Sequence, residues 1–285
     1  MAAAYALIAA FLFGAALVTT QFGLRHMDGL AGGKVSIPSG LLLFCLLLPL
    51  RGLEGWNGAG AAIFLAVGLF FPVAVTLLAY AANRRLGPTV AGAIGSTAPL
   101  FAVIGAALFL GETLGILQGV AILAIVAGSI VLVWRRGAGV AMQGAVMGST
   151  MAWGAAALRA LAQVVAKAGL LLWPNPYAAV LLGYAVSAAT IWTIGAFSRR
   201  PQSRTYARRG VLWFALTGIL NGSAVLALYT ALDGGPVKIV SPIASSYPLF
   251  TLLLNAVVLR EERISARLMA GVALMVSGVA LLLVT

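Results

Sequence analysis

Residues 95–113 read GSTAPLFAVIGAALFLGET, and residues 244–262 read ASSYPLFTLLLNAVVLREE. The first contains Pro99-Leu100-Phe101 and the second Pro248-Leu249-Phe250. Both run on at the same spacing to a Leu and a Glu, Leu110 and Glu112 in one, Leu259 and Glu261 in the other. The chain therefore holds two copies of one unit. Each proline falls within a long apolar segment. A proline inside a helix removes a backbone hydrogen bond and clashes with the carbonyl four residues earlier, here that of Gly95 or Ala244. Two related helices broken at the same depth of an apolar medium point to a transporter whose binding site lies between its repeats.

That medium is a lipid bilayer. The 285 residues are 62% hydrophobic and only 8% charged, with a mean hydropathy of +1.07. A soluble domain carries roughly a quarter charged residues, and a chain this apolar would expose too much oily surface to water. The opening stretch to Gly23 lacks a basic start and a small-x-small cleavage site, so it reads as a mature transmembrane helix rather than a signal peptide. One cysteine, Cys45, and one histidine, His26, exclude a disulfide framework or a metal cluster built on those residues. The net charge of +12 fits an orientation signal at segment ends, not nucleic-acid binding.

Spanning helices need about 20 mostly apolar residues. Ten candidates follow, at roughly 2–23, 32–50, 58–81, 88–110, 114–134, 140–166, 176–197, 209–231, 236–259 and 264–284, with short polar connectors such as 83–87 between them. The expectation is an all-α membrane protein of ten transmembrane helices in two inverted five-helix repeats, residues 1–137 and 138–285, with the boundary near 137–140. An odd number of spans per repeat forces the second copy to insert upside down. Phe13-Gly14 in the first helix and Trp153-Gly154 in the sixth are a weaker echo of the same repeat. Arginines crowd one set of connectors, from Arg25 through Arg135 and Arg199 to Arg263, while Arg51, Lys167 and Lys238 share the other set with Glu54, Glu112 and Asp233. The positive-inside rule then places both termini outside.

The five-plus-five plan, Phe13-Gly14, the paired Pro-Leu-Phe phrases and the Leu-x-Glu closures together resemble the drug/metabolite transporter superfamily, and within it the EamA-type ten-helix exporters. The resemblance covers nearly the whole chain. It implies alternating-access movement of small metabolites across a bacterial inner membrane, with amino-acid export common, and cytoplasmic termini where the arginines argue the reverse. Small multidrug relatives carry an embedded Glu in the first helix. The stretch from Ala3 to Gly23 has no carboxylate, which weighs against proton-coupled antiport of lipophilic cations.

Several polar residues fall inside the spans. The freed carbonyls of Gly95 and Ala244, with Pro99 and Pro248 as pivots, are expected to line a central cavity, where irregular backbone is tolerated. Ser96, Thr97, Ser245, Ser246 and Tyr247 would supply hydroxyls there, or else bond back to their own helices. Arg159 lies inside the sixth span with Gln163 one turn onward. A buried arginine marks a pathway or a partner and suits a substrate carboxylate, though a long side chain also snorkels to the interface. Asn221 suits a polar ligand or holds helices together. Trp153 walls a cavity or packs. Thr19, Thr20 and Gln21 on helix one are further polar candidates. Glu112 and Glu261 read as helix N-terminal caps. Gly115 and Gly119, spaced for close helix approach, suit dimerisation or packing.

Enzymatic readings fail on inventory: no nucleotide-binding loop, no paired carboxylates at depth, and a single histidine. No cofactor is called for. The partners expected are a small-molecule substrate, an amino acid or related metabolite, and the bilayer, with the chain a monomer or homodimer and no nucleic acid bound. A multidrug or organic-cation exporter is the alternative within transport. A non-transporting scaffold or channel is the alternative outside it.

Overall fold

The computed structural model describes residues 1–133, 142–197, 207–259 and 266–284. Among them are twelve helices: α1 Ala2–Leu24, α2 Gly29–Arg51, α3 Gly58–Gly68, α4 Val73–Gly95, α5 Ala98–Leu110, α6 Ile116–Val133, α7 Met142–Leu172, α8 Pro176–Phe197, α9 Arg208–Asp233, α10 Val237–Ala244, α11 Tyr247–Leu259 and α12 Ala266–Val284. Seven stretches are long and apolar enough to cross a membrane, and three shorter apolar helices bring the total to ten. The protein is all-helical and membrane-spanning, as its composition requires. The expected repeat boundary at 137–140, and Glu261, lie outside the described residues.

Polar residues at the connectors set where helices begin. Asp28 accepts the Ala31 N–H at 2.8 Å and starts α2. Asn57 accepts the Gly60 N–H at 2.9 Å and starts α3. Asn175 does the same for α8 through the Ala178 N–H at 2.9 Å. Each satisfies one of the donors that a helix start leaves orphaned. Gly111, at φ +67°, ends α5 in a left-handed turn, a conformation that costs glycine little.

Two expectations need correction. The connector at 83–87 is not a break, because α4 runs helically from Val73 to Gly95. Polarity alone does not stop a helix, and arginine is among the better helix formers. Instead, the third span is interrupted earlier, between Gly68 and Val73, so that α3 and the start of α4 form one broken crossing. Secondly, Pro99 and Pro248 are not in helix interiors. The chain breaks at Ser96-Thr97 and Ser245-Ser246, and each proline sits in the first turn of the helix that follows. There the missing N–H was unpaired in any case.

The two halves pack by the same rules. α1 lies along α9 as α4 lies along α7, and α11 meets α1 as α5 meets α7. α2 meets α9 as α3 meets α8, and at both crossings a glycine lets backbones touch. A Cβ on Gly218 would stand 2.0 Å from the Ser36 carbonyl oxygen, and one on Gly68 would stand 2.7 Å from that of Gly183. α6 and α12 cross antiparallel through Gly128 against Gly271 and Gly278 against Ala121, at the outer edge of the bundle. Aromatic rings fill the core, with Phe44, Phe64, Trp173, Tyr184 and Phe214 all fully buried.

Loop contacts show which connectors share a face. Ala2 lies against Gly235, Trp173 Nε1 donates to the Glu54 carbonyl at 2.9 Å, and Glu112 binds the start of α10. On the opposite face His26 lies against Gly210. This is the alternation that ten crossings produce.

Candidate functional site

A cavity of about 160 Å³ opens between α1, the α3–α4 junction, α7, α9 and the break between α10 and α11. Its walls are mainly apolar: Phe13 and Leu17 from α1, Phe71 and Val75 beside Pro72, and Leu228 from α9. Each helix contributes one face, and the polar residues on those faces meet at one place.

Arg159 and Gln163 enter from α7, one turn apart. Arg159 is about 20 Å along the helix from Leu172, deep in the crossing. Its guanidinium carbon lies 5.9 Å from the centre of the Tyr247 ring, at the outer reach of a cation–π contact. It forms no ion pair among the described residues, and no acidic side chain lines the cavity. Gln163 is 4% exposed, and its Oε1 accepts no hydrogen bond from the described residues. Asn221 reaches the cavity from α9.

The remaining wall is the helix break. Ala244, Ser245 and Tyr247 all line the cavity. α10 ends at Ala244, and Pro248, four residues on, has no N–H to offer that carbonyl. Ser246 is also buried, but its hydroxyl donates to the Ile243 carbonyl at 2.7 Å and it is not part of the wall.

Of the residues singled out from sequence, Arg159, Gln163, Asn221, Ser245 and Tyr247 are brought together, with Ala244 between them. Ser96 and Thr97, at the matching break in the first repeat, are not in the wall. Ser96 is buried, and Thr97 donates its hydroxyl to the Ile94 carbonyl at 2.6 Å. No residue of α5 lines the cavity. Trp153 is 44% exposed and stands edge-on to Phe101, with ring centres 5.8 Å apart, outside the cavity. Thr20 does line it, although its hydroxyl donates to the Ala16 carbonyl at 2.7 Å. Thr76 and the Phe71-Pro72 turn are wall residues that sequence reasoning passed over. Pro72 in an apolar span was the available signal.

A cation and six uncharged polar side chains, Thr20, Thr76, Gln163, Asn221, Ser245 and Tyr247, share a hydrocarbon enclosure at mid-crossing, an arrangement suited to a small polar solute. They hold no general acid or base pair. The family model for the EamA-like transporter family matches residues 1–134 and again residues 146–284. The chain belongs to that family: it is a membrane transporter built from two EamA repeats, and not an enzyme. A solved crystal structure shares its fold, with a TM-score of 0.83 over 98% of this chain and 95% of the other, at 19% sequence identity. No curated protein matches the chain in sequence.

Proposed function

We propose that this member of the EamA-like transporter family exports small polar metabolites, amino acids foremost, across the bacterial inner membrane by alternating access through the cavity. The observation that carries this reading is Arg159: a cation deep in the crossing, facing a chamber with no acidic residue in its wall. An intramembrane charge without a counter-charge is expensive, and a substrate carboxylate supplies one. The same chamber offers nothing to hold a lipophilic cation by charge. The repeats, taken as 1–137 and 138–285, are the moving units. Pro99 and Pro248 stand at their pivots, and the arginine-rich connectors face the cytoplasm with both termini outside.

Counterflow in proteoliposomes tests the reading. Preloaded neutral amino acids should drive saturable uptake of the labelled form, with and without a pH gradient, and Arg159→Ala should abolish it. Transport of organic cations with silence across the amino acids would replace this reading with a multidrug one. Silence for every solute would leave a scaffold.

A further inference from the structure

An unmet acceptor lies in the wall beside the cation. Gln163 is one turn from Arg159 on α7, almost wholly buried, and its Oε1 has no donor among the described residues. The Ala244 carbonyl, in the same wall, takes no N–H from Pro248, which follows at the position where the next turn would bond. Buried acceptors are costly unless something donates to them. Arg159 cannot satisfy the Gln163 oxygen and at the same time neutralise its own charge, because it carries donors only.

The helix break adds polarity of its own. α10 ends at Ala244, so its partial negative end faces the same chamber, while α11 begins at Tyr247 with a partial positive end. Residues four apart on a helix are about 5–6 Å apart at their Cβ atoms, a span that neighbouring charged groups on one carbon can bridge. The chamber, at about 160 Å³, is smaller than the ~300–1,000 Å³ typical of drug-sized sites.

We infer that the solute is bound as a zwitterion, with its carboxylate on Arg159 and its ammonium on Gln163 Oε1 and the Ala244 carbonyl. This rests on the amino-acid reading above and deepens it. Gln163 is the residue that distinguishes an α-amino acid from a plain carboxylic acid. The ammonium meets neutral acceptors only, so binding requires no proton to leave the protein.

The test uses three matched probes as competitors of labelled L-leucine counterflow: L-leucine, 4-methylpentanoate, which lacks the amino group, and 3-methylbutylamine, which lacks the carboxylate. The full-length protein is reconstituted as wild type, Gln163→Leu and Gln163→Glu. Gln163→Leu should weaken L-leucine about tenfold or more, the effect of losing a hydrogen bond to a charged group, and leave 4-methylpentanoate within about twofold. Gln163→Glu keeps an acceptor in place. It should retain L-leucine, weaken 4-methylpentanoate and strengthen the amine. A Gln163→Leu protein that binds all three probes as wild type does, or loses all three equally while Gln163→Glu shows no reversal, overturns the zwitterion assignment and leaves the export reading standing. A wild type with no L-leucine counterflow overturns both.

Discussion

Glu112 Oε1 accepts the Val237 backbone N–H at 2.7 Å, so an acid at the end of a first-repeat helix caps a helix of the second repeat. Its other oxygen accepts the Lys238 N–H at 2.9 Å, and the Lys238 ammonium bonds back to the Thr113 carbonyl. Sequence reasoning expected Glu112 to cap a helix, but the helix it caps is α10 and not its neighbour α6. α10 has only eight residues and ends at Ala244 in the cavity wall, so the clamp holds the wall in place from about 12 Å away. Replacing Glu112 with Ala should cost about 1–2 kcal/mol, the usual loss for a helix cap. Glu112→Gln, which keeps one acceptor, should cost less. Thermal unfolding in detergent reads the stability, and counterflow reads whether a loosened α10 slows transport. Equal stability of Glu112→Ala and wild type would show that the clamp contributes nothing.

Arg159 should separate stability from transport. It has no ion-pair partner among the described residues and sits deep in the crossing. Arg159→Ala should therefore leave the unfolding temperature unchanged or raise it, while abolishing saturable uptake of carboxylate-bearing solutes. Arg159→Lys keeps the charge but loses the planar fork that pairs both carboxylate oxygens. It should retain some transport, with KM raised about tenfold. If Arg159→Ala unfolds the protein instead, the residue is a structural strut.

Trp153 gives the opposite expectation. The ring is 44% exposed and packs edge-on against Phe101 of α5. An edge-to-face pair is worth about 0.5–1.5 kcal/mol, so Trp153→Ala should lower the unfolding temperature a little and leave KM unchanged. A changed KM would bring Trp153 into the chamber in another state of the transport cycle.

The repeat was legible because it needs only composition and spacing: two Pro-Leu-Phe phrases and their trailing Leu-x-Glu fix five spans per half, whatever the packing. The site was legible in part. Arg159, Gln163, Asn221, Ser245 and Tyr247 announce themselves as polar groups inside apolar segments, which lipid does not tolerate without a reason. Which copy of a repeated motif faces the chamber does not follow from sequence. Ser245 and Ser96 occupy equivalent positions, yet only Ser245 lines the wall, because helix rotation is set by side-chain packing across the whole interface. The course of α4 through 83–87 was lost for a related reason. Polar residues mark a connector only when the backbone also has cause to turn.

Glycine contacts offer a paired test of packing. A Cβ at Gly218 would stand 2.0 Å from the Ser36 carbonyl oxygen, which is backbone and cannot move aside cheaply. Gly218→Ala should cost about 1–3 kcal/mol, in the range of overpacked cores. Among the described residues a Cβ on Gly119 would meet only Leu114 Cδ2, from the connector before α6, at 3.8 Å. Gly119→Ala should be neutral or slightly stabilising, since alanine is the better helix former. Should Gly119→Ala lower the unfolding temperature and also shift the protein to smaller particles in size-exclusion chromatography, Gly115 and Gly119 form a dimer contact between chains.

Orientation has a direct test, because the loops are already sorted by face. Asn175 lies on the face that carries the N-terminus, next to Glu54 at 3.4 Å, and His26 lies on the opposite face beside Gly210. The opposite face carries Arg25, and the sequence places most of the remaining arginines in connectors of the same parity. Positive connectors stay on the cytoplasmic side during insertion. In a Cys45→Ala background, a cysteine at Asn175 should react with a membrane-impermeant maleimide added to intact cells, and one at His26 should react only after the membrane is opened. The reverse pattern would put both termini in the cytoplasm. It would also mean that the arginine bias does not govern insertion here, leaving the chamber in place but exchanging the side on which Glu112 caps α10.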